Sequence, residues 1–147
     1  MILNKQKKVR LAARPLREFL RKAQRELKIT NTEITVAFVS DAEIARWNEA
    51  YRKKIGPTDV LSFPATFGLT DKPLEGNGAR SQEILGDIAI APETARRYAK
   101  RNGRSLDAEI RVLMLHGVLH LMGYDHESDH GQMNRIEQKL RRRLGIA

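Results

Sequence analysis

Two histidines one helical turn apart, followed by a third just past a glycine, are the residues of this chain best suited to chemistry. His116 and His120 stand four residues apart in LDAEIRVLMLHGVLHLM, so on a helix both imidazoles project from one face, the spacing that lets two rings grip one ion. Gly123 comes three residues later, where a helix can end in a left-handed turn, and Tyr124 and Asp125 leave room for the chain to swing His126 back over the pair. Three neutral imidazoles with a fourth position left to water make a catalytic rather than a structural zinc arrangement. The chain contains no cysteine and 4 histidines in all, so thiolate ligands are unavailable. A lone histidine on an apolar helix is more often a satisfied core residue than a ligand. The i, i+4 pair, the glycine and the third histidine together favour one zinc ion per chain on His116, His120 and His126. His130, among Glu127, Ser128 and Asp129, reads as a solvated surface residue.

The spacing His-x3-His-x2-Gly-x2-His equals that of metzincin-type zinc proteases, HExxHxxGxxH, with one decisive difference. The position after the first histidine, where those proteases carry the glutamate that works as general base, is Gly117. Peptide hydrolysis therefore lacks its proton acceptor. No other carboxylate is an evident general base: Asp125 adjoins a ligand, and Glu109 lies two helical turns before His116 on the same face. Asp87 is a candidate acceptor for the second nitrogen of a metal-binding histidine, or a turn or cap residue near its strand.

The elements that must position these residues follow from periodicity. The segment ILNKQKKVRLA is β-compatible, and Arg14 to Lys28 reads as an amphipathic helix with Leu16, Phe19, Leu20, Ala23 and Leu27 at helical spacing. Glu33 to Val39 alternates as a strand does, and Ser40 with Glu43 forms a capping-box pattern opening a helix through Ala50. Val60 to Phe63 and Leu85 to Ala91 are strand-like; the Gly- and Pro-rich run from Ala65 to Gln82 between them is a loop. Pro92 suits the first turn of a helix to about Asn102, ended by Gly103. Leu106 to Met122 is apolar on almost every side, as expected of a helix buried in the middle of the domain. A last helix, roughly Asp129 to Leu144, turns Met133, Ile136, Leu140 and Leu144 inward. Without repeat, linker or low-complexity tract, the expected fold is one α+β domain over 1–147: a small mixed β-sheet packed against several helices, with the central helix carrying the metal ligands.

Composition bounds the partners. The 147 residues are 41% hydrophobic and 31% charged, and no stretch approaches the roughly 20 apolar residues of a membrane span. The basic N-terminal stretch lacks the apolar segment and small-residue cleavage site of a secretory signal, so a cytoplasmic protein without a membrane partner is expected. Lys plus Arg number 27 against 18 Asp plus Glu, a net charge of +9, which favours a polyanionic partner such as nucleic acid. Basic clusters at Lys5 to Arg10, Arg96 to Arg104 and Lys139 to Arg143 are candidates for an RNA track if they share a face. Aromatic residues make up 5% of the chain, so binding is expected to be dominated by the phosphate backbone, salt-sensitive and weakly sequence-selective.

The segment HGVLHLMGYDH, 116 to 126, closely resembles the signature of the YbeY family of bacterial endoribonucleases, the rRNA maturation factors. WNEAYRKKIGPTDVLSFP (47 to 64) is similar to that family's helix, basic loop and T-[DN]-V-L-S-F-P strand, and LGDIAIAPE (85 to 93) to its G-D-I strand. The resemblance implies an α+β fold and zinc on His116, His120 and His126. It also implies metal-dependent cleavage of single-stranded RNA in ribosomal RNA maturation, with rRNA and the small ribosomal subunit as partners. It assigns a functional role to Arg52, which from YRKK alone reads as part of a solvated basic loop. The competing expectation is a zinc-stabilised RNA- or ribosome-binding assembly factor without catalysis of its own.

Overall fold

An apolar helix is stable only when other elements surround it, and the rest of this chain does so. The computed structural model describes residues 1–65, 83–125 and 129–146. In chain order the elements are β1 (Ile2–Asn4), α1 (Ala13–Glu26), β2 (Thr32–Phe38), α2 (Asp41–Trp47), β3 (Val60–Pro64), β4 (Glu83–Ile90), α3 (Pro92–Arg101), α4 (Leu106–Leu121) and α5 (Gln132–Leu144), with a π-helical turn, Asn48–Arg52, continuing α2. The sheet is mixed, in the order β1-β2-β4-β3: β1, β2 and β4 run parallel, and β3 is an antiparallel edge strand on β4. The architecture is the expected α+β fold.

Period-2 alternation splits the sheet into two faces. Ile34, Val36, Phe38, Ile88 and Ile90 face one way and pack with α1 and α4, through Leu16, Phe19, Leu20, Ile110, Met114 and Val118. Ala37, Ala89, Leu61 and Phe63 face the other way, where Ile44 and Trp47 of α2 cover them. Helix α5 then closes over α4 and α1, joining Met133 and Leu140 to Leu115, Leu119 and Ala23. Leu115 and Leu119 are wholly buried, each stabilising the fold by about 1.5–3 kcal/mol.

Several boundaries differ from expectation for local reasons. The first strand stops at Asn4. The buried Gln6 then ties a turn, its Nε2 donating to Asn4 Oδ1 at 2.8 Å and to the Val9 carbonyl at 3.0 Å, while its Oε1 accepts from the Val9 N–H. Helix α1 ends at Glu26, because Lys28 takes a left-handed conformation. The Ser40 cap forms, its Oγ accepting from the Glu43 N–H at 3.1 Å, but the Glu43 carboxylate pairs forward with Arg46. Helix α5 starts at Gln132 rather than Asp129. Asp129 folds back instead, its two carboxylate oxygens accepting from the N–H groups of Gly131 and Met133. The expected loop from 65 to 82 lies, beyond Ala65, outside the described residues.

At Gly117 the backbone of α4 comes close to the sheet. A Cβ there would lie 2.9 Å from both Cδ1 and Cγ2 of Ile88, which is itself fully buried. The Gly117 carbonyl also accepts a long hydrogen bond, 3.5 Å, from Ser62 Oγ of β3. Gly117→Ala is therefore expected to destabilise the fold by about 1–3 kcal/mol through overpacking. Urea denaturation checks this: a lower midpoint at unchanged slope is the expected result, and an unchanged midpoint would mean that Ile88 yields freely.

Candidate functional site

The imidazole pair is built by the end of α4. Its N-terminus is capped by Ser105, whose Oγ accepts from the Ala108 N–H. At the other end Gly123 adopts φ +103, donating its N–H to the His120 carbonyl at 2.9 Å while the Tyr124 N–H reaches the Leu119 carbonyl at 3.1 Å. This is the left-handed stop expected at Gly123, and it turns the chain into the segment leading to residue 126.

On the last turns of α4, His116 Nε2 and His120 Nε2 lie 3.1 Å apart. Zinc–nitrogen bonds of about 2.0–2.1 Å in a tetrahedron separate two ligand nitrogens by roughly 3.3 Å, so the pair stands close to the spacing one ion would impose. His116 Nδ1 is 3.1 Å from Glu137 Oε1 of α5. Glu137 is buried, with Arg141 at 4.0 Å from its other oxygen. A carboxylate on Nδ1 favours the proton there and leaves Nε2 as the lone-pair donor. Among the described residues no cluster of three potential ligands occurs. The pair supplies two, and His126, the expected third, lies outside the described residues.

The pair opens into a cleft of about 690 Å³ along the outer edge of β3, with His116, His120 and Asp125 on one side and Tyr51 and Arg52 on the other. The π-helical turn delivers Arg52. α2 was expected to end near Ala50; instead it widens after Trp47 and closes on Lys53, which is left-handed at φ 56. Buried Asn48 holds the turn by donating from Nδ2 to the Gly56 carbonyl at 2.9 Å. Arg52 is exposed and has no ion-pair partner among the described residues. The other basic clusters do not line the cleft, and several of their members are already paired: Arg97 with Asp41, Arg104 with Glu109, and Arg143 with Glu26.

Other sequence candidates fall outside this cleft. Asp87 is exposed on β4, opposite Phe63, and points away from the face Ile88 presents to α4. The carboxylate that meets a histidine is Glu137. Glu109 is buried and bonded to Arg104 at 3.0 Å; burial pushes its carboxyl up, and the Arg104 guanidinium opposes that shift. It holds the start of α4 rather than a substrate. His130 is exposed, as expected. The sequence reading missed Glu137, although a signal existed: it sits four residues after Met133 and three before Leu140, inside the apolar stripe of α5.

Residues 1–145 match the family described as Endoribonuclease YbeY. A protein named Endoribonuclease YbeY from Koribacter versatilis is 39% identical over 146 residues, covering 99% of this chain and 86% of the relative. One of the same name from Heliobacterium modesticaldum is 40% identical over 121 residues, 80% of this chain and 73% of the relative. A Thermotoga maritima protein solved in solution is similar in structure, with a TM-score of 0.63 and 26% identity over 98% of this chain and 89% of that one.

Proposed function

Because this chain belongs to the Endoribonuclease YbeY family, we propose that it is a zinc-dependent endoribonuclease specific for single strands. Its proposed role is in rRNA maturation, including the 3′ end of small-subunit rRNA, and in ribosome quality control in the cytoplasm. The observation that carries this reading is the convergence, across one cleft, of the His116–His120 pair and the guanidinium of Arg52. No described helix is long and apolar enough to cross a membrane.

Phosphodiester cleavage requires charge on the phosphoryl oxygens to be stabilised and the attacking and leaving oxygens to be oriented. A zinc ion held by His116, His120 and His126 would supply Lewis-acid stabilisation of that charge. The protein's own groups do the rest. Arg52 presents a planar, permanently charged fork that binds two phosphate oxygens at once. Glu137 keeps the proton of His116 on Nδ1 and fixes the ring, so that Nε2 faces the cleft. Residues Val60 to Pro64 of β3 line the same cleft.

Purified protein is expected to cut a single-stranded rRNA fragment and to spare the same sequence when paired. Chelation should abolish cutting and added zinc should restore it. The end that keeps the phosphate identifies the attacking group as water or the 2′-hydroxyl. Cleavage surviving complete metal removal would sink the zinc mechanism. Tight RNA binding without cleavage by the metal-replete protein would instead favour an assembly factor in which zinc pins α4 to the His126 segment.

The role of Glu137 has its own test. Glu137→Gln keeps the size and an acceptor but loses the charge, and is expected to weaken zinc binding about 10–100-fold, measured by competition with a chelator. Equal affinity in both proteins would reduce Glu137 to a packing residue.

A further inference from the structure

Aromatic residues are scarce here, with 1 Trp, 3 Tyr and 4 Phe, yet three of them form a ladder running to the cleft. Trp47, against the sheet, meets Phe63 edge to face, with ring centroids 6.1 Å apart and planes at 89°. Phe63 in turn meets Tyr51 at 4.8 Å and 63°. Trp47 and Phe63 are partly buried, whereas Tyr51 is 58% exposed and lines the cleft beside Arg52. A large aromatic ring braced by an edge-type contact with a second ring and itself more than half exposed is preorganised for stacking and loses little freedom on binding a flat partner.

From this geometry we infer that Tyr51 is the platform for one unpaired nucleobase, the base belonging to the nucleotide whose phosphate Arg52 engages. Tyr51 and Arg52 are consecutive and both line the cleft, with Cα atoms about 3.8 Å apart, a separation that lets the two side chains address the base and the phosphate of one nucleotide. Stacking on a single aromatic ring is sequence-tolerant, because every base has a π-face. It is not tolerant of pairing, because a duplex base already has both faces covered. The inference deepens the proposal above, on which it rests, by giving single-strand preference a physical origin in one side chain. It is compatible with binding dominated by the phosphate backbone: scarce aromatics still allow one stacked base where they are concentrated at the site.

The test is an abasic scan. Octanucleotide RNAs with one base deleted at each position in turn are titrated against the unaltered protein, Tyr51→Phe and Tyr51→Ala, with binding read by fluorescence anisotropy. Expected is one position at which deletion weakens binding by about tenfold in the unaltered protein and in Tyr51→Phe. In Tyr51→Ala that penalty disappears and affinity for the intact RNA falls by a similar factor. Should Tyr51→Ala misfold, Tyr51→Leu, which keeps an apolar side chain but has no π-face, takes its place with the same expected loss of the penalty. A flat scan would overturn the inference while leaving the ribonuclease reading in place if the RNAs still bind and are cut. The same abasic penalty in folded Tyr51→Ala would also overturn it. Failure of the unaltered protein to bind or cut any of these RNAs would overturn both.

Discussion

Replacing His120 by alanine is expected to strip the metal and to cut the rate of single-stranded RNA cleavage by about 10³-fold or more. In the proposed site of three histidines the lost ligand is one of three, so the effect should exceed the 10–100-fold typical of the carboxylates that orient such ligands. The fold should survive. His120 is only partly buried, α4 is anchored by Leu115, Val118 and Leu119, and alanine is the strongest helix former. Metal analysis, circular dichroism and cleavage on the same preparations separate the possibilities. Metal and activity lost together from a folded protein support catalysis at the histidines. Metal lost with cleavage unchanged would place the activity elsewhere, and metal retained would remove His120 from the ligand set.

Arg52→Ala should behave differently, keeping its zinc while cleavage falls about 10²–10³-fold, the usual cost of removing one preorganised donor aimed at developing charge. Arg52 is exposed on the π-helical turn, while the turn itself is held by Asn48 and Gly56, so little stability is at stake. Arg52→Lys should recover only part of the rate, since an ammonium restores the charge but not the two-point fork. Full activity in Arg52→Ala would sink the role of this residue.

The pairing of metal content with cleavage in the two variants separates the functions of the two cleft walls. The histidine wall was legible in the sequence because its geometry is local: an i, i+4 pair and a glycine stop define each other within eight residues. Structure reproduces both, and the helix that carries them ends within one residue of the expected place. The opposite wall was not legible from residue pattern. NEAYR reads as continued helix or solvated loop, and the π-helical widening that delivers Tyr51 and Arg52 depends on a long-range tie from Asn48 to Gly56. Glu137 meets His116 across 21 residues of chain, a relation no local period encodes. Sheet faces were readable from alternation; the early end of the first strand was not, because a glutamine side chain there outcompetes the ladder.

The contact between Gly117 and Ile88 also bears on what this scaffold can be turned into. The residue after the first histidine is where a zinc protease keeps its proton acceptor, and here even a methyl group at that position would lie 2.9 Å from the side chain of buried Ile88, which would have to shift. Anyone grafting a glutamate there to obtain a peptidase would have to hollow out the strand beneath it first, and would lower the histidines' own foundation in doing so. The chemistry open to this cleft is thus narrowed by the packing of the helix that carries its histidines, before any substrate arrives.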